Sequence, residues 1–252
     1  MRKRLKWILP AGLSVALIAA FLIYTGRWYH SDEAALAALE SDGAVKVVRT
    51  GYGWLFDGPS EDAALVFYPG GKVETTAYAP LLHALAAEGM DACLVDMPFH
   101  LALFGIDRAT GVMDGHAYAN WYVGGHSLGG VMAARYAAGH GDRLAGLILF
   151  AAYPTRPLEE HLVVISLYGS EDGVLNREKL AEGRACAPGA YHEVVIPGGN
   201  HAQFGNYGKQ RGDGGATISA AEQQREAVEA IVAIIQPGDR GHVPLNESDG
   251  GA

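Results

Sequence analysis

Only two cysteines occur in the 252 residues, Cys93 and Cys186, and neither has a partner at metal-ligand spacing. That excludes a thiolate zinc site and any disulfide framework. Cys93 sits in the apolar run Ala92-Cys93-Leu94-Val95, and Cys186 in a loop-like stretch before Pro188. Nothing local brings them within the ~7 Å Cα separation that a bridge needs, so both are expected to be free. No metal is implied. No internal repeat is visible.

Acidic residues are missing from the first 27 positions, which hold five of the 19 Lys and Arg. The rest carries 14 basic against 28 acidic side chains. Such a surface repels nucleic acid, and no basic stripe with interleaved aromatics offsets it. Charge of either sign is absent over the 18 residues Trp7–Tyr24, directly after Arg2-Lys3-Arg4-Leu5-Lys6. As a helix this run spans about 27 Å, close to a bilayer core. It is longer than a usual signal-peptide core, and no Ala-x-Ala cleavage site follows. Residues 1–27 are therefore expected to be a cytoplasmic basic stub and an uncleaved signal-anchor helix. The membrane is then a partner, with the rest of the chain on the extracytoplasmic side. The alternative is cleavage and secretion.

Residues 28–44 read as a linker with a short helix, Asp32–Glu40, for which Ser31 is the expected N-cap. Val45–Arg49 and Tyr52–Phe56 read as a hairpin. From there to 235, apolar strands alternate with helices. Ala63-Ala64-Leu65-Val66-Phe67-Tyr68 has the unbroken apolar character of a strand buried on both faces. The alternation predicts an α/β fold with a mostly parallel, doubly wound sheet over residues 45–235. Residues 236–252, rich in Pro, Gly, Asp and Glu, are expected to be disordered.

One motif dominates the chemistry. Gly125-His126-Ser127-Leu128-Gly129 lies between a short apolar strand and a helix of small residues. Strand, Gly-x-Ser-x-Gly, helix is a nucleophile elbow, which exposes the serine hydroxyl at a strand end. Two further signals follow in chain order. Asp172 lies just past a buried strand in Tyr168-Gly169-Ser170-Glu171-Asp172-Gly173, with Glu171 as the alternative acid. His201 lies past the last strand in Pro197-Gly198-Gly199-Asn200-His201. The order Ser, Asp, His at strand C-termini suits acyl transfer: base, nucleophile and orienting acid.

These stretches, with Tyr68-Pro69-Gly70-Gly71-Lys72-Val73-Glu74, Met97-Pro98-Phe99 and Gly199-Asn200-His201-Ala202-Gln203-Phe204-Gly205, resemble the small bacterial group called α/β-hydrolase family 5. The resemblance runs from about Val45 to Ile235. It implies an α/β-hydrolase sheet with Ser127 as nucleophile, His201 as base and Asp172 as acid. It also implies an oxyanion hole formed by the Leu128 N–H with that of Gly71 or, alternatively, Lys72. The interval between Phe150 and Leu162 is too short for a cap domain. The pocket then falls to the loops Pro98–Phe104 and 204–215, with His126, Phe99, Gln203 and Phe204 as lining residues. The expected function is hydrolysis of a small carboxylic ester, with no cofactor and a preference for short acyl chains. A thioesterase, amidase or acyltransferase would use the same triad. A non-catalytic binding protein on the same scaffold is the reading from another class.

Overall fold

The structure, a computed structural model, describes residues 2–60 and 62–235, with side chains from Leu13 onward. The expected disordered tail, 236–252, lies outside the described residues.

Eight strands form one sheet in the order β1-β2-β4-β3-β5-β6-β7-β8. β1 (Lys46–Arg49) and β2 (Gly53–Asp57) are the expected hairpin, and β2 also runs antiparallel to β4 (Asp91–Val95). All pairings among β3 (Ala63–Tyr68), β4, β5 (Asn120–His126), β6 (Gly146–Phe150), β7 (Val163–Gly169) and β8 (Tyr191–Ile196) are parallel. The chain leaves β3 to one side and returns to β5 on the other. The strand order therefore reverses between β3 and β5, where open α/β sheets form their sites.

The apolar character of β3 follows from its two covered faces. Leu65 and Phe67 pack with Tyr78, Leu81, Phe150 and Ile231 on one face. Ala64, Val66 and Tyr68 pack with Val123, Met132, Tyr136 and Leu149 on the other. Successive side chains of a strand point to opposite faces, so each face receives alternate residues. Helices α3 (Ala79–Ala87) and α7 (Ala220–Ile235) cover the first face; α4 (Arg108–Asp114) and α5 (Leu128–His140) cover the second. Helix α6 (Arg177–Arg184) follows β7. Both cysteines are free, and Cys93 Sγ accepts a hydrogen bond from the Tyr52 hydroxyl at 3.4 Å.

The N-terminal part departs from expectation in two ways. The short helix α2 spans Glu33–Ala37, and its N-cap is Asp32, whose carboxylate accepts from Ala35 N–H at 2.9 Å. Ser31 is engaged elsewhere: its N–H donates to Glu74 and its hydroxyl meets that of Thr76. Nor is the start of 28–44 a free linker. Tyr29 N–H donates to Lys72 O, Glu74 N–H donates to Tyr29 O, and Asp32 N–H donates to Asn206 O. Tyr29 thereby forms a parallel bridge with Val73.

Before it, α1 (Arg2–Thr25) contains the uncharged run of the expected anchor, whose first residues precede the described side chains. Among the described residues no helix is long and apolar enough to cross a membrane.

Candidate active site

Ser127 sits between β5 and α5 with φ 52° and ψ −123°. A non-glycine residue holds such a conformation only where its surroundings impose it. Here they do. A Cβ on Gly125 would lie 2.4 Å from Tyr68 O, and one on Gly129 would lie 2.1 Å from Tyr68 O and 2.3 Å from Pro69 O. The end of β3 thus presses on both sides of the turn, and only glycine fits at either position. Ser127 is left partly exposed at the N-terminus of α5.

His201 is buried on the loop after β8, and its Nδ1 lies 2.9 Å from Asp172 Oδ2. The other carboxylate oxygen of Asp172 accepts from the N–H groups of Val174 and Leu175 at 2.9 and 2.8 Å. Burial raises the Asp172 pKa, but the His201 hydrogen bond and charge and the two amides outweigh it, so the net shift is downward. Glu171 is exposed and bonded to the Ser170 hydroxyl. Of the two adjacent acids, Asp172 alone reaches the imidazole. His201 Nε2 is buried without a hydrogen-bond partner among the described residues.

The loop after β3 supplies the opposite wall. Lys72 N–H donates to His100 O at 2.7 Å, so the alternative oxyanion donor drops out: its proton is already used. Gly71 N–H has no such partner among the described residues. A Cβ on Gly71 would meet Leu128 Cδ2 at 2.9 Å, so the two residues lie against each other. Leu128 opens α5, where the first amides lack intrahelical acceptors.

Of the other expected lining residues, Gln203 borders a cavity of about 480 Å³ that Asn200, Asn206 and Asp213 also line. His126 is buried, with Nδ1 2.9 Å from the Tyr78 hydroxyl and its ring centroid 4.5 Å from that of His201. Burial first, then the charge of His201, holds its pKa well below 6.5. Phe204 is fully buried against Phe150 and His126, part of the core. Gln203 spends its amide N–H on Ile218 O. Phe99 is half exposed, with positive φ at both Phe99 and His100, and its ring meets Phe21 and Phe104.

Three residues outside the expected set hold the site together. The Tyr78 hydroxyl accepts from Gly70 N–H at 3.0 Å and also meets His126, linking the β3 loop to the elbow. Asp213 accepts from the N–H groups of His201 and Ala202 with its two oxygens, and from Gly173 N–H beside the acid. Buried Gln223 exchanges two hydrogen bonds with the backbone of Asn200. Among the described residues no group of three or more His, Cys, Asp or Glu is placed to hold a metal ion.

A strained serine on an elbow, a buried His–Asp pair and a glycine loop at the β3/β5 switch define a hydrolase-type site on an α/β sheet. The sequence profile of the alpha/beta hydrolase family matches residues 64–225, and the chain belongs to that family. No curated protein matches it. Solved structures of the same fold include a carboxylesterase of Bacillus subtilis, at 10% identity and TM-score 0.54, covering 82% of this chain and 96% of that one. An esterase of Mycobacterium tuberculosis is 14% identical with TM-score 0.56, over 81% and 96% of the two chains. A soluble variant of the monoglyceride lipase of Saccharomyces cerevisiae is 10% identical with TM-score 0.56, over 79% and 98%.

Proposed function

We propose that the chain is a serine hydrolase that cleaves a small-molecule carboxylic ester through an acyl-enzyme on Ser127. The observation that carries this reading is the buried His201–Asp172 pair on the same sheet edge as the strained Ser127. Asp172 fixes the imidazole with its proton on Nδ1, leaving Nε2 free to accept. Nε2 takes the Ser127 proton as Oγ attacks the ester carbonyl. The N–H groups of Leu128 and Gly71 meet the oxyanion, each such donor contributing about 3–4 kcal/mol in comparable sites. The tetrahedral intermediate collapses, and His201 returns the proton to the departing alcohol. Water then attacks the acyl-enzyme by the same path, and Ser127 is released with the acid. The structural neighbours, a carboxylesterase, an esterase and a lipase, support an ester as the bond cleaved.

The same reading includes an uncleaved N-terminal anchor with the hydrolase domain on the extracytoplasmic side. Its support is the sequence: 18 residues without charge behind four basic ones. Membrane fractionation with N-terminal sequencing tests it; a mature chain starting at residue 26 or later contradicts it. A screen of ester, thioester and amide donors with the purified full chain tests the chemistry. Esters are expected to turn over fastest.

A further inference from the structure

We infer that the loop Pro98–Phe104 and the last turns of α1 form one lipid-docking surface, and that the ester cleaved here is presented from the lipid phase. This rests on the hydrolase reading above for the chemistry and on separate observations for the surface.

Away from Phe21, Tyr24 and Thr25, the described part of α1 has little protein cover. Leu13, Val15, Leu17, Ile18, Leu22 and Ile23 are each 55–66% exposed. At 100° per residue these positions fall on every side of the helix. A helix that is apolar all round is stable when covered all round, by a protein core or by lipid. Here the protein supplies no such core. The occupant is further marked by the basic residues at the start of the run, which suit anionic headgroups across the bilayer.

The body of the protein joins this surface at one place. Phe99, Leu103 and Phe104 are 48–51% exposed. Phe21 of α1 lies edge-on to Phe99 and Phe104, with centroids 5.2 and 5.8 Å apart, and those two rings contact each other at 5.6 Å. Just beyond Phe21 the chemistry changes. Lys72 Nζ stands over the Tyr24 ring at 4.1 Å, and Trp28 stacks on His100 at 4.5 Å. Aromatic rings with a cation beside them are characteristic of the headgroup level. Phe21 is about 4.5 Å deeper along the helix at 1.5 Å per residue, which puts the Phe99 and Phe104 rings that pack on it below that level.

The same loop borders the reaction centre. His100 O holds the Lys72 amide, and Leu101 lies beside Gly71, whose N–H faces the oxyanion position in the proposed mechanism. The lipid-facing loop and the oxyanion loop are therefore continuous. An amphiphilic ester with its acyl chain in the bilayer reaches Ser127 along this path without leaving the interface. This departs from the short-acyl preference expected from a small pocket: Phe99, Leu103 and Phe104 of that loop are exposed, and only Leu101 turns inward to Gly71.

The test uses the full chain reconstituted in phosphatidylcholine vesicles. An NBD fluorophore is attached at Leu103→Cys in a Cys186→Ser background, with Val195→Cys as the control on the exposed edge strand. Blue-shifted emission at 103 and not at 195 is expected; aqueous emission at both positions overturns the docking surface. In parallel, hydrolysis of vesicle-borne monooleoylglycerol is compared with that of soluble p-nitrophenyl butyrate. Leu103→Ser with Phe104→Ser is expected to lower the former at least about tenfold relative to the latter. An unchanged ratio overturns the lipid-phase substrate. Failure of the wild type to cleave either ester, with the label still shifted, refutes the hydrolase reading and leaves the surface standing.

Discussion

The hydroxyl of Tyr78 lies 2.9 Å from Nδ1 of His126, the residue just before the serine. Gly70 N–H donates to the same oxygen, whose second lone pair and proton remain for the contact with the imidazole. One buried phenol thus fixes both the β3 loop and the elbow. Tyr78→Phe leaves a buried amide and a buried imidazole nitrogen unpaired. The expected cost is about 1–3 kcal/mol of stability, with kcat falling more than KM rises. Urea unfolding and steady-state kinetics on a soluble ester check this; wild-type values for both would remove Tyr78 from the account.

His126 also sets an acid limit on stability. Burial and His201 hold its folded pKa well below 6.5, so the unfolded chain takes up a proton that the folded one refuses. This contribution is fully present above the unfolded pKa and is lost as pH falls below about 6.5, at up to about 1.4 kcal/mol per pH unit. Asp172, whose folded pKa is also lowered, adds its loss only at lower pH, as its own pKa is approached. Urea midpoints at pH 7.5, 6 and 5 are expected to fall for the wild type and to fall less steeply for His126→Gln. Parallel slopes contradict the assignment.

Asp172→Asn is expected to lower kcat by orders of magnitude, because an amide favours the wrong imidazole tautomer. Glu171→Gln, which alters an exposed side chain, is expected to stay within a few fold of wild type. The reverse ranking would transfer the role to Glu171.

Two glycines give opposite outcomes for the same change. A methyl at Gly129 collides with Tyr68 O and Pro69 O, so Gly129→Ala is expected to displace the β3 loop and abolish turnover. A methyl at Gly111 in α4 meets nothing within 4 Å, and Gly111→Ala is expected to add up to about 1 kcal/mol of stability. Activity and unfolding midpoints of the two variants decide it; an active Gly129→Ala enzyme would show that the elbow tolerates a side chain.

What the sequence revealed was local. The unbroken apolar run of β3 and the glycines around Ser127 carry their reasons in adjacent residues, as does the placement of Asp172 and His201 just past strands. What it hid depends on residues far apart in the chain. Ser31 looks as good an N-cap as Asp32 until Glu74 and Thr76 claim it. Lys72 looks as free as Gly71 until His100 folds back on its amide. Tyr78, Asp213 and Gln223 carry no motif, because their roles are bonds to loops 8 to 48 positions away.

The most direct test of the central claim is covalent. The full-length protein is treated with a fluorophosphonate probe, and the adduct is located by peptide mass mapping. The account predicts one phosphonylated residue, Ser127, and none in a Ser127→Ala protein whose unfolding midpoint stays near that of the wild type. No adduct on the folded wild type, or an adduct on another serine with Ser127 unmodified, would contradict it.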